Sequence, residues 1–97
     1  MDIRQHPRFL KFFGEVKDAV TKAKLLASIK RLAAGNPGKA KSVGEGVWEL
    51  KIDYGPGWRI YYTKVGSEIM ILLTGGTKNG QQQDIETAKQ MAREIGQ

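Results

Sequence analysis

Residues 46–76, GVWELKIDYGPGWRIYYTKVGSEIMILLTGG, constrain the fold more than any other part of the chain. Trp48, Leu50 and Ile52 alternate with Val47, Glu49, Lys51 and Asp53, the period-2 pattern of a half-buried strand. Gly55-Pro56-Gly57 places a residue of fixed φ between two that accept positive φ, which predicts a tight reversal. The alternation then resumes, with Trp58, Ile60 and Tyr62 on one side and Arg59, Tyr61 and Thr63 on the other. A three-residue loop sets Tyr54 opposite Trp58, Leu50 opposite Tyr62 and Asp53 opposite Arg59. In that pairing one side of the hairpin is apolar, and the other is polar, aromatic and cationic, with Lys51 and Arg59 close together. A bulge at the turn would shift the pairing. Trp48 and Trp58 fall in the apolar row and read as core.

The run Ile69-Met70-Ile71-Leu72-Leu73 is apolar without alternation and lies between Gly66-Ser67 and Gly75-Gly76. It suits a strand buried on both faces near the middle of a sheet. Before the hairpin, Phe9, Phe12, Phe13, Val16, Val20 and Ala23 recur at helical spacing after Pro7. Gly14 and the potential cap Asp18 divide this stretch into helices over 7–16 and 19–34. Gly35-Asn36-Pro37-Gly38 stops the second. Residues 2–6 suit a short first strand and 39–43 a basic edge strand. After a polar turn at 77–80, a last helix over 81–95 carries Ile85, Ala88, Met91, Ala92 and Ile95 on one stripe. Helices before and after three or four antiparallel strands define an α+β domain.

Ninety-seven residues support one domain over 1–97. The absence of cysteine rules out disulfides and thiolate zinc sites, and the single His6 cannot anchor a histidine metal cluster. His6 lies far in sequence from the other candidates and is not assigned to catalysis. No apolar run approaches the roughly 18 residues needed to span a bilayer, and the first residues lack an apolar signal core. The expected location is therefore the cytoplasm, with no membrane partner. A net charge of +6 and a pI of about 9.7 favour a nucleic acid or an acidic protein as partner.

Several motifs occur in fixed order: Gly35-Asn36-x-Gly38, Val43-Gly44-x-Gly46-Val47-x-Glu49-Leu50, Gly55-Pro56-Gly57-x-Arg59-x-Tyr61, Gly75-Gly76 and Lys78-x-x-Gln81-x-x-Asp84-Ile85. From about Phe9 to Ile95 the chain resembles the toxins of bacterial type II toxin–antitoxin modules. More narrowly, it is similar to the HigB-like addiction-module killer proteins of the RelE/ParE superfamily, also found in phage and prophage. The resemblance implies a RelE-like fold, an N-terminal helical hairpin packed on an antiparallel sheet of three or four strands with a C-terminal helix. It implies an antitoxin partner with a helix-turn-helix domain and, in the RelE and HigB branches, ribosome-dependent cleavage of mRNA. The ParE branch shares the fold but inhibits DNA gyrase, so the fold leaves the two activities open.

RNA cleavage by 2′-OH attack needs a proton acceptor, cationic stabilisation of the phosphate and help to the leaving 5′-oxygen. The resemblance places Arg59, Lys51 and Lys78 as the catalytic cations and calls for no metal or other cofactor. Arg59 leads because its guanidinium can hold two phosphate oxygens in a fixed fork, although a cross-strand pair with Asp53 also suits it. Lys51 on an open face and Lys78 in a turn also fit as solvated lysines. Tyr61 fits base stacking or packing, and Gln81, Lys39 and Lys41 fit contacts to mRNA or ribosomal RNA. Glu49 stands where the RelE pattern has lysine and, with Asp84, is a possible base or positioning group. Asp84 also suits the dipole of the last helix.

Overall fold

The computed structural model describes residues 1–96. The elements run β1 (Asp2–Gln5), α1 (Pro7–Glu15), α2 (Ala19–Ala33), β2 (Ala40–Gly44), β3 (Val47–Ile52), β4 (Trp58–Val65), β5 (Ile69–Gly76) and α3 (Gln81–Ile95), with a single 3₁₀ turn at Lys78–Gly80. The five strands form one sheet in the order β1-β5-β4-β3-β2. The architecture is the expected α+β one, with one more strand than the antiparallel meander and its basic edge strand supply. The addition is β1, which lies parallel to β5. A parallel neighbour requires a crossover, and the helical hairpin α1–α2 lies on the path from β1 to the antiparallel strands.

Local chemistry sets the helix ends. Pro7 occupies the first turn of α1, and the Nδ1 of His6 accepts the Arg8 amide at 3.0 Å, so the lone histidine is an N-cap. Asp18 caps α2 by accepting both the amide and the hydroxyl of Thr21, at 2.9 and 2.8 Å. Between β2 and β3, Glu45 and Gly46 both take positive φ, the backbone of a two-residue hairpin turn. Arg93 of α3 donates to the Glu45 carboxylate at 2.6 Å and ties the last helix to that turn.

The sheet is covered on both sides. On one, Phe9, Val16, Leu25 and Leu32 of the helical hairpin region pack on Leu50, Ile52, Ile60, Tyr62, Met70 and Leu72. On the other, Ala88, Met91 and Ala92 of α3 pack on Val47, Tyr61 and Leu73. The alternate residues of Ile69–Leu73 thus divide between two cores, as a continuous apolar strand should.

Two irregularities position the functional face. The β3–β4 ladder pairs Ile52 with Trp58, Leu50 with Ile60 and Lys51 with Arg59. The expected register, with Asp53 opposite Arg59, is off by two residues because the connection is five residues long rather than three. Tyr54 and Gly57 amides close it by bonding to the Ile52 and Tyr54 carbonyls. A bulge in β5 opposite Tyr61/Tyr62 also leaves Gly75 facing α1, where a Cβ would stand 2.3 Å from Phe12, and Gly76 facing α3, where it would stand 2.0 Å from Asp84 Oδ2.

Candidate functional site

Lys51 and Arg59 are direct cross-strand partners, so their side chains leave the sheet on the same side. Their surroundings differ. Lys51 is solvent-exposed at the sheet end, with its Nζ 3.6 Å from Asp53 Oδ1. Arg59 is only 5% exposed. Its Nη1 donates to the Gly57 carbonyl at 2.6 Å, while its buried Nε has no hydrogen-bond partner. Gly57, at φ +80°, makes this seat possible: a Cβ there would lie 2.9 Å from Arg59 Nη1 and 3.2 Å from Lys78 Cβ. Those contacts bring Lys78, just past β5, against the same loop, and its amide donates to the Pro56 carbonyl at 3.3 Å.

Behind Arg59 lies a buried acidic centre. Glu49, 2% exposed, accepts from the Tyr61 hydroxyl at 3.1 Å and from the Gln81 amide at 2.8 Å through Oε2. Arg59 Nε stands 3.8 Å from the same oxygen, and Lys41 Nζ lies 3.9 Å from Oε1. Lys41, Glu49, Tyr61 and Thr74 form one cross-strand row over β2, β3, β4 and β5. The row with Lys51, Arg59 and Gly76 lies beside it.

Tyr61 is completely buried beneath α3, which corrects the expectation of a base-stacking platform, since its ring presents no face to a nucleobase. Burial pushes its hydroxyl well above the usual tyrosine range. The Glu49 carboxylate, with the hydrogen bond it accepts, and the charge of Asp84 act in the same direction, and Arg59 opposes them. The hydroxyl therefore stays protonated and donates to Glu49. The alternative pairing of Arg59 with Asp53 is also corrected: Asp53 is held by Lys39, which donates to it, and by Lys51. These two lysines keep the Asp53 carboxyl below the usual carboxylate range, with the Lys39 hydrogen bond the largest cause.

Asp84 lies in the first turn of α3, its carboxyl against the open Cα of Gly76. Burial raises its pKa above the ordinary aspartate value, against the opposing charge of Arg8. Arg8 was not among the sequence candidates, because the periodicity of α1 marks its apolar face and says nothing about which exposed cation approaches α3.

The site thus comprises a seated guanidinium with a buried, unbonded Nε, two lysines on neighbouring segments and two carboxylates, one bonded to Tyr61 and Gln81 and one of raised pKa. Such a constellation can receive a phosphate and accept a proton beside it. No group of three or more His, Cys, Asp or Glu among the described residues is placed to hold a metal ion. No helix of the described residues is long and apolar enough to cross a membrane.

Fold and site together define a small α+β domain whose mixed sheet sets two cations side by side on adjacent antiparallel strands. The chain belongs to the phage-derived Gp49-like family, whose profile matches residues 11–93. It is 44% identical over 88 residues to an uncharacterized protein of Haemophilus influenzae, with 91% of this chain and 89% of that protein covered. Among solved structures it is similar to the toxin–antitoxin complex RelBE of E. coli, with a TM-score of 0.66 at 15% identity over 78% of this chain and 94% of the other. The isolated E. coli RelE toxin matches equally well, at 0.66 and 12% identity over 88% and 95% of the two chains. The fold is accordingly the RelE fold.

Proposed function

We propose that this protein is the toxin of a type II toxin–antitoxin pair, and that it acts in the cytoplasm as a ribosome-dependent mRNA endoribonuclease that inhibits translation. The observation that carries this reading is the cross-strand pairing of Arg59 with Lys51, which sets two cations on one side of the sheet with Lys78 against the same loop. A guanidinium beside an ammonium suits the oxygens of one phosphate.

In the proposed reaction the 2′-hydroxyl gives its proton to Asp84 as its oxygen attacks the adjacent phosphorus, and the bond to the 5′-oxygen breaks as that oxygen takes a proton from solvent, leaving a 2′,3′-cyclic phosphate and a 5′-hydroxyl. Arg59 holds the phosphate oxygens, and Lys51 and Lys78 stabilise the charge that builds there. Asp84 is the better proton acceptor of the two carboxylates. Its raised pKa brings it nearer the working pH, whereas Glu49 accepts from Tyr61 and Gln81 through Oε2 and serves to hold them. Lys39 and Lys41, both exposed, meet ribosomal RNA phosphate.

The partner is an antitoxin with a helix-turn-helix domain. The RelE-fold neighbours include a complex of RelE with an antitoxin peptide, and the basic surface here suits an acidic segment. The alternative, gyrase inhibition of the ParE type, gives the Lys51–Arg59 pair no phosphate to bind. Inducing the chain without its antitoxin and mapping mRNA 5′ ends tests the choice. Cuts confined to translated regions support the nuclease; a DNA-damage response without mRNA cuts overturns it.

A further inference from the structure

A recess lies where α1, the end of β5 and the start of α3 meet. It has a volume of about 250 Å³ and is lined by Arg8, Lys11, Phe12 and Glu15 of α1, Thr74 and Gly75 of β5, and Asp84 of α3. Thr74 and Gly75 follow the bulge in β5 and precede Gly76, which faces α3.

Four features fit one ligand. Arg8 and Lys11 stand on the exposed side of α1, one helical turn apart, and enter none of the ion pairs formed among the described residues. Phe12, half-buried, supplies an aromatic wall between them and the sheet. Thr74 supplies a hydroxyl suited to the edge of a base, and Asp84 closes the recess on the side of the Arg59 site. The recess also adjoins the Arg59 site directly, because Asp84 abuts Gly76 and Gly76 is the cross-strand partner of Arg59.

We infer that this recess is a nucleotide subsite, which holds the residue of a single-stranded RNA next to the phosphate on Arg59: its phosphate on Arg8 and Lys11, its base against Phe12. The inference rests on the nuclease reading and names where the strand continues. Recognition of unstacked bases by an aromatic wall with polar groups at the base edge is the usual mode for single-stranded RNA.

The test is titration of the ¹⁵N-labelled full chain with a 5′-phosphorylated RNA trinucleotide made uncleavable by 2′-deoxy substitution. Amide shifts are expected at Arg8, Lys11, Phe12, Thr74 and Gly75 together with those at Lys51 and Arg59. The double variant Arg8→Ala/Lys11→Ala is expected to weaken binding about tenfold and to lower the salt slope by about 0.7 for each phosphate that is no longer neutralised. Arg8→Lys/Lys11→Arg should restore most of the affinity. Shifts confined to the Lys51–Arg59 face, unchanged affinity in the double variant, or no binding at millimolar oligonucleotide each overturn the subsite. Failure of the nuclease reading has a different signature: the trinucleotide binds the recess, yet induction of the chain produces no mRNA cuts.

Discussion

Arg59 and Glu49 face each other inside the sheet at 3.8 Å without a hydrogen bond between them. The carboxylate spends its bonding oxygen on Tyr61 and Gln81, and the guanidinium spends one nitrogen on Gly57. Each charge therefore compensates the other, and the Arg59 Nε, itself buried, faces the carboxylate.

Arg59→Lys keeps the charge and loses the fork. The lysine ammonium cannot reproduce a guanidinium that bonds Gly57 and a phosphate at once. Cleavage by this variant is expected to fall by about 10² to 10³, the range typical for loss of one donor to a developing negative charge, with the circular dichroism spectrum unchanged.

Tyr61→Phe removes a donor from a buried carboxylate. Hydrogen bonds to charged groups contribute about 1.5–3 kcal/mol, and urea unfolding of the variant is expected to show a loss in that range. An unchanged midpoint would mean that water replaces the hydroxyl.

Asp84 gives stability a pH dependence of defined sign. Its folded pKa lies above the ordinary aspartate value, so between the unfolded and folded values the native state binds more protons than the unfolded chain. Asp84 therefore makes stability fall as pH rises through that window. Asp84→Asn is expected to flatten this part of the pH profile of the unfolding midpoint and raise stability at neutral pH, while losing cleavage activity.

Two glycines predict opposite outcomes. Gly14 lies within α1 with nothing within 4 Å of an added Cβ, and Gly14→Ala is expected to stabilise by about 0.5–1 kcal/mol through helix propensity. Gly76→Ala places a methyl 2.0 Å from Asp84 Oδ2 and is expected to destabilise by about 1–3 kcal/mol, as overpacking does. Thermal unfolding of the two variants measures both.

Much of the fold was legible in the residues alone. The caps, breakers and apolar stripes place the helices within a residue or two, because those signals are local: 7–16 and 19–34 against Pro7–Glu15 and Ala19–Ala33, and 81–95 against Gln81–Ile95. The hairpin register was not legible, since Gly55-Pro56-Gly57 is compatible with a three- or a five-residue connection and the apolar row looks the same after a shift of two. That shift replaces an Asp53–Arg59 pair with a Lys51–Arg59 one. Alternation put Tyr61 correctly on the polar side but could not show that α3 folds over it, which is a long-range contact. Arg8 and Lys11 were invisible for the same reason: only the tertiary fold brings α1 beside Asp84.

The most direct measurement is primer extension on mRNA from programmed ribosomes incubated with the purified chain or with folded Arg59→Ala. The account predicts discrete cuts in the translated region with the wild type and none above background with the variant. Equal cutting by both proteins, or cutting by neither while the wild type still arrests growth, would contradict it.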